Sequence, residues 1–194
     1  MKIVISSLLF FLMMTLLTGV LYPGFVTLIG QVVWPEKSAG SLVYQNDQIK
    51  GSALIAQKFS KDRYFWPRPS ASDYSALPSA ASNLGPSSKA LLEAVNARRQ
   101  KLLSAHQAPL SLVPEELLTA SGSGLDPHLS KKAALFQCAR IARARGLDQT
   151  GRKRLEDMVK EAEEQPFFAL LGTPVINVFL LNLAMDKAFD KIVQ

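Results

Sequence analysis

The segment Ser121-Gly122-Ser123-Gly124-Leu125-Asp126-Pro127-His128 gathers a hydroxyl, a carboxylate and an imidazole, the groups of a nucleophilic hydrolase. A serine nucleophile on a sharp strand-to-helix turn needs glycines on both sides in a G-x-S-x-G pattern, and Ser121 stands where the first of them belongs. Asp126 and His128 also lie so near each other that aligning them with Ser123 as a relay demands an unusual loop. The competing interpretation is a polar turn in which Asp126 or Ser130 satisfies amides at the start of the next helix. Phosphate chemistry fares no better. A phosphate-cradling loop ends in Lys followed by Ser or Thr, whereas Gly124 is followed by Leu125-Asp126, which adds negative charge where a phosphate would sit. Two histidines far apart and the lone Cys138 give no metal-ligand spacing. His106, near a helix end, is expected at the surface.

The elements that must position these residues follow from periodicity. Ser87 or Ser88 caps a helix running to about His106, with Leu91, Leu92, Val95, Leu102 and Leu103 in one stripe. A second helix starts near Ser130, buries Ala134, Leu135, Cys138, Ile141 and Ala142, and stops at Gly146, which suits a left-handed C-cap. Cys138 is thus assigned to packing. Arg140, Arg143 and Arg145 are expected on a solvated face and a basic last turn. Asp148 or Thr150 opens a third helix carrying Leu155, Met158, Val159 and Ala162, ended by Pro166. Partial alternation and β-branched residues in VINVFLLN predict a strand from Val175 to about Asn182. Upstream, SLVYQ, then Asn46-Asp47, then QIKGS predicts a hairpin where the sheet begins. Residues 60–88 are rich in Ser, Pro, Ala and aromatics without a sustained period; Tyr64, Phe65 and Trp66 favour an ordered, surface-forming loop there. The fold class expected is α+β, with a small β-sheet and about three soluble helices.

Residues 3–35 contain no charged side chain. Residues 3–22 (IVISSLLFFLMMTLLTGVLY) span roughly 30 Å as a helix, the thickness of a hydrocarbon core. A cleaved signal peptide would have a shorter apolar run and a small-residue cleavage site, which favours a retained anchor. The expected anchor residues are Ile3, Leu8, Leu9, Phe10, Phe11, Leu12, Leu16, Leu17, Val20 and Tyr22, with membrane lipid as the expected partner and the transmembrane helix at about 3–25. Pro23-Gly24 can bend or interrupt it where it leaves the lipid, with residues 25–33 as an apolar extension. The expected organisation is an anchor over residues 1–35 and one soluble domain over 36–194. The short flank with Lys2 favours a cytoplasmic N-terminus and an extracytoplasmic domain. A net charge of +6 without a dense basic run gives nucleic-acid binding little support.

Several strings, in order along the chain, resemble the C subunit (KdpC) family of the Kdp-type potassium-transporting ATPases of bacteria. They are TGVLYPG at the membrane exit, GSALIAQKF, RPSA (Arg68 and Pro69 included), SNLGP (with Asn83), and LLTASGSGLDPHLS with Ser121, Ser123, Gly124 and Asp126. Gln137, Arg140 and the Ala142–Arg145 run follow, and Leu171-Gly172 with Asn177 through LNLAMD closes the series. Ala80 and Ala81 stand where the family commonly has glycines, and Val175 where it often has a basic residue.

The resemblance implies a non-catalytic accessory subunit in the bacterial inner membrane. Its implied partners are a channel-like potassium-binding A subunit and a P-type ATPase B subunit that carries hydrolysis. It would stabilise their assembly and raise the pump's affinity for ATP. No cofactor is expected to bind directly, although the resemblance raises ATP contact, with Gln137 as the candidate against a plain packing role. Arg68, Pro69, Asn83, Ser121, Ser123, Gly124, Asp126, Arg140 and Asn177 are the implied interaction residues. An anchored hydrolase using Ser123 is the remaining alternative.

Overall fold

A computed structural model describes residues 1–166 and 172–190. The chain divides into two compact units, Met1–Ser52 and Ala53–Gln194.

The first unit is led by helix α1, Lys2–Val33, whose 32 residues reach about 48 Å at 1.5 Å each, long and apolar enough to cross a membrane. The anchor residues Ile3 to Tyr22 lie along it with exposed side chains. Both threonines of its middle turns bond within the helix, as an apolar surrounding favours: Thr15 donates to the carbonyl of Phe11 at 2.8 Å and Thr18 to that of Met14 at 2.7 Å. The helix does not stop at Pro23. A proline has no N–H for the carbonyl four residues earlier, and the turn Leu17–Leu21 widens to a π-helical one in which the Tyr22 N–H bonds to Leu17. The helix then continues through the apolar extension to Val33. After the single turn Pro35–Ser38, a hairpin pairs β1 (Leu42–Gln45) with β2 (Gln48–Ser52) antiparallel, with Leu42 opposite Ser52 and Gln45 opposite Gln48. Asn46 and Asp47 both take positive φ, 53° and 58°, the tight mirror-image turn that their short polar side chains tolerate. This hairpin is a two-stranded sheet of its own and does not begin the larger one.

Among the described residues the second unit holds four longer helices and a three-stranded antiparallel sheet of very short strands, which bears out the α+β class. The helices are α2 (Lys89–His106), α3 (Lys131–Arg145), α4 (Gln149–Glu161) and α5 (Val178–Phe189). The sheet runs in the order β3 (His128–Leu129), β5 (Val175–Asn177), β4 (Glu163–Glu164). Caps fall where the residue types demanded: Ser130 Oγ accepts from the Ala133 amide, Asp148 Oδ1 from that of Gly151, and Gly146 closes α3 at φ 63°.

The strand expected over residues 175–182 ends instead at Asn177. Its side chain accepts from the Leu180 amide at 3.2 Å and caps α5. The following Val178, Leu181, Met185 and Phe189 are buried at helical spacing, so core packing along one helical face overrides the local β preference of VINVF. The core gathers Phe65, Leu129, Ile141, Leu155, Val159, Ile176 and Met185. Cys138 packs within it, its thiol pushed up to about 12 by burial. Leu171, part of the closing family string, lies outside the described residues.

Candidate functional site

Residues 62–66 (Asp-Arg-Tyr-Phe-Trp) form neither helix nor strand, yet Phe65 and Trp66 are buried. Buried peptide groups must find partners, and here side chains supply them. Arg140 donates to the carbonyls of Asp62 and Tyr64, and Arg145 to that of Arg63. Asn182 spans Phe65, accepting its N–H at 2.8 Å and donating to its carbonyl at 2.9 Å. Gln137 does the same for Trp66, at 2.8 and 3.0 Å. The two carboxamides thus do for this segment what the peptide groups of a neighbouring strand would do.

Arg140 is the hub. It is only 2% exposed, its Nη2 also donates to Gln137 Oε1 at 2.8 Å, and its guanidinium lies 3.9 Å from the Trp66 ring centroid. Its Nε donates to His106 Nε2 at 3.1 Å, which leaves His106 Nδ1 to donate to the Leu102 carbonyl at 3.0 Å. Burial, reinforced by the Arg140 charge, lowers the His106 pKa to about 4, so the imidazole is neutral and serves as an acceptor. Burial also draws Arg140 down to about 10. Arg145, with a side chain 3% exposed, pairs with Asp186 and Asp190, and Asp186 accepts from the Tyr64 hydroxyl at 3.0 Å.

Two expectations are corrected here. Of the basic run only Arg143 is solvated, because the carbonyls of residues 62–64 need donors and the long arginines at 140 and 145 reach them. His106 is buried beneath Arg140, with its ring stacked on Phe136 at 4.5 Å.

A second cluster joins the loops. Arg68 pairs with Asp126 at 3.0 Å, the Pro69 carbonyl accepts from the buried Ser121's amide, and the Tyr74 hydroxyl bonds to the Arg68 carbonyl. Gly124 has φ 70°, and a Cβ there would sit 2.8 Å from the Ala80 carbonyl oxygen, so conformation and space both require glycine. Asn177 ties the far side, donating to the Ala53 carbonyl at 2.8 Å. Ser123 Oγ accepts from the Leu125 amide at 3.1 Å. Asp126 accepts from the His128 amide through Oδ1 and meets the His128 ring at 3.5 Å. The hydroxyl, carboxylate and imidazole are therefore each engaged in holding the turn.

The structure thus brings Arg68, Pro69, Ser121, Ser123, Gly124 and Asp126 together. It gathers Gln137 and Arg140 in the adjoining brace and leaves Asn83 apart, exposed at φ 51°. Asn182, His106 and Arg145 belong to the brace and were not foreseen. An asparagine inside the apolar run LLNLAM was the one local hint, since a polar side chain on a buried face must have a partner.

The class defined by these features is an α+β body that follows an apolar helix long enough to cross a membrane, with its distinctive residues locking its own loops. The family model described as KdpC: K+-transporting ATPase, c chain, matches residues 4–187. Among curated proteins, the chain is 47% identical to the potassium-transporting ATPase KdpC subunit of Methylococcus capsulatus, over 93% of this chain and 95% of that protein. It is 46% identical to the KdpC subunit of Rhodospirillum rubrum, over 94% of each, and 48% identical to that of Pseudomonas putida, over 91% and 92%. The chain belongs to the KdpC family, the c chains of potassium-transporting ATPases.

Proposed function

We propose that this chain is a non-catalytic accessory subunit that stabilises the assembly of a potassium-importing ATPase from a channel-like potassium-binding subunit and a P-type ATPase subunit that hydrolyses ATP. The observation that carries this reading is where the family-motif residues are committed. Arg68, Asp126, Gln137, Arg140 and Asn177 bond to this chain's own main chain or side chains, so they hold in place the loops that form its outer face. Helix α1 supports a single-pass anchor. Lys2, on the N-terminal side of the helix, supports a cytoplasmic N-terminus with the body outside the inner membrane, against the channel-like subunit.

With the body on that side, any effect on nucleotide affinity reaches the ATPase subunit indirectly, through assembly or a shared conformational equilibrium. Gln137 then acts by holding Trp66, to which both ends of its amide are bonded. Deleting residues 1–35 is expected to release the body from the complex and abolish high-affinity potassium uptake. Normal assembly and uptake by the truncated chain would refute the anchoring role. Purified full chain should bind no ATP; binding lost on Gln137→Ala would favour direct contact instead.

A further inference from the structure

The brace delivers Trp66 to the floor of a cleft of about 220 Å³ beneath α2, within the second unit. Phe59, Leu102 and Leu117 complete an apolar base, while Lys58, Asp73, Arg98 and Lys101 stand around it. Lys58 and Asp73 neutralise each other at 2.6 Å, which leaves Arg98 and Lys101 as the cations that face an incoming group. Arg98 is oriented by donation from Nη1 to the Leu118 carbonyl at 2.9 Å. Lys101, exposed, holds its ammonium 4.9 Å from the Trp66 ring centroid and makes no ion pair among the described residues.

Organic ligands usually occupy about 300–1,000 Å³, so this cleft suits one or two inserted side chains better than a whole metabolite. An apolar base under two cations that have no ion pair among the described residues is complementary to an apolar side chain next to a carboxylate. We propose that the cleft receives an extended segment of another subunit of the potassium-transporting complex. An aliphatic or aromatic side chain would enter over Trp66, Leu102 and Leu117, and a neighbouring Asp or Glu would meet Lys101 and Arg98. The proposal rests on the accessory-subunit reading and names the surface through which that role is exercised.

The test uses the whole complex expressed in cells with the full chain tagged. With p-benzoylphenylalanine in place of Lys101, irradiation should join the chain to a partner subunit, at a peptide that mass spectrometry shows to contain an acidic residue beside an apolar one. Lys101→Glu should lower partner recovery in salt-containing buffer by about ten-fold, while Lys153→Glu, the same charge change on the exposed face of α4, should leave it unchanged. A crosslink only to lipid, no crosslink from a complex that still assembles, or equal losses for both charge reversals would overturn the cleft assignment while leaving the accessory role standing. Failure of the unmodified chain to recover any partner would instead defeat the accessory reading itself.

Discussion

Residues 62–66 and residues 75–87 come from the same stretch rich in Ser, Pro and Ala, and neither forms helix or strand. In the first, every carbonyl receives a donor from a side chain of α3 or α5, and Phe65 and Trp66 are buried. In the second, nearly every residue is exposed, Leu77 to 89%. What separates them is not composition but whether distant side chains meet the main chain's need for partners, which turns one irregular segment into core and leaves the other as surface.

Breaking the hub should blur that contrast most. Arg140→Ala strands the carbonyls of Asp62 and Tyr64 and the acceptor nitrogen of His106, and should destabilise the fold by about 3–5 kcal/mol. Chemical denaturation of the full chain in detergent would measure it, and an unchanged midpoint would mean that the segment is held by apolar packing alone.

Acid should loosen the brace next. The folded His106 pKa of about 4 lies below its ordinary 6.5, so between those values the unfolded chain takes up a proton that the folded chain refuses. Stability is therefore full above pH 6.5 and falls by on the order of 3 kcal/mol as pH drops through 4. In His106→Gln, thermal melting should lose this slope; a slope retained would place the acid sensitivity elsewhere.

Gln137→Ala removes both bonds to Trp66 and should cost about 2 kcal/mol by the same denaturation measurement, with the Trp66 fluorescence shifting towards that of a hydrated indole. At the small end, Leu77→Ser and Ser82→Ala in the exposed segment should stay within about 0.5 kcal/mol of the parent. A larger loss would show that residues 75–87 are packed as tightly as the braced segment.

Much of this arrangement was legible from residue order. The apolar run, the Asn46-Asp47 turn, and the caps at Ser130, Gly146 and Asp148 are local signals with local causes. The placement of Arg140 was not, because its partners Asp62 and Tyr64 lie 78 and 76 residues away and a helical arginine reads as solvated until its acceptors are known. His106 escaped for the same reason. The start of α5 was hidden by Val175, Ile176 and Val178, whose β preference describes only the first residues of that run. Asp126 and Ser123 suggest chemistry by type, and the alternative of a polar turn matches the bonds they make, Asp126 Oδ1 accepting from the His128 amide and Ser123 Oγ from that of Leu125.

Hydrogen exchange on the full chain in detergent reaches the main claim most directly, because it times the amides of the two irregular segments side by side. The Phe65 and Trp66 amides should exchange only with global opening, as slowly as those in the middle of α3, while residues 75–87 exchange at near-random-coil rates. Equal, rapid exchange across both segments would contradict the claim that side chains have made residues 62–66 part of the core.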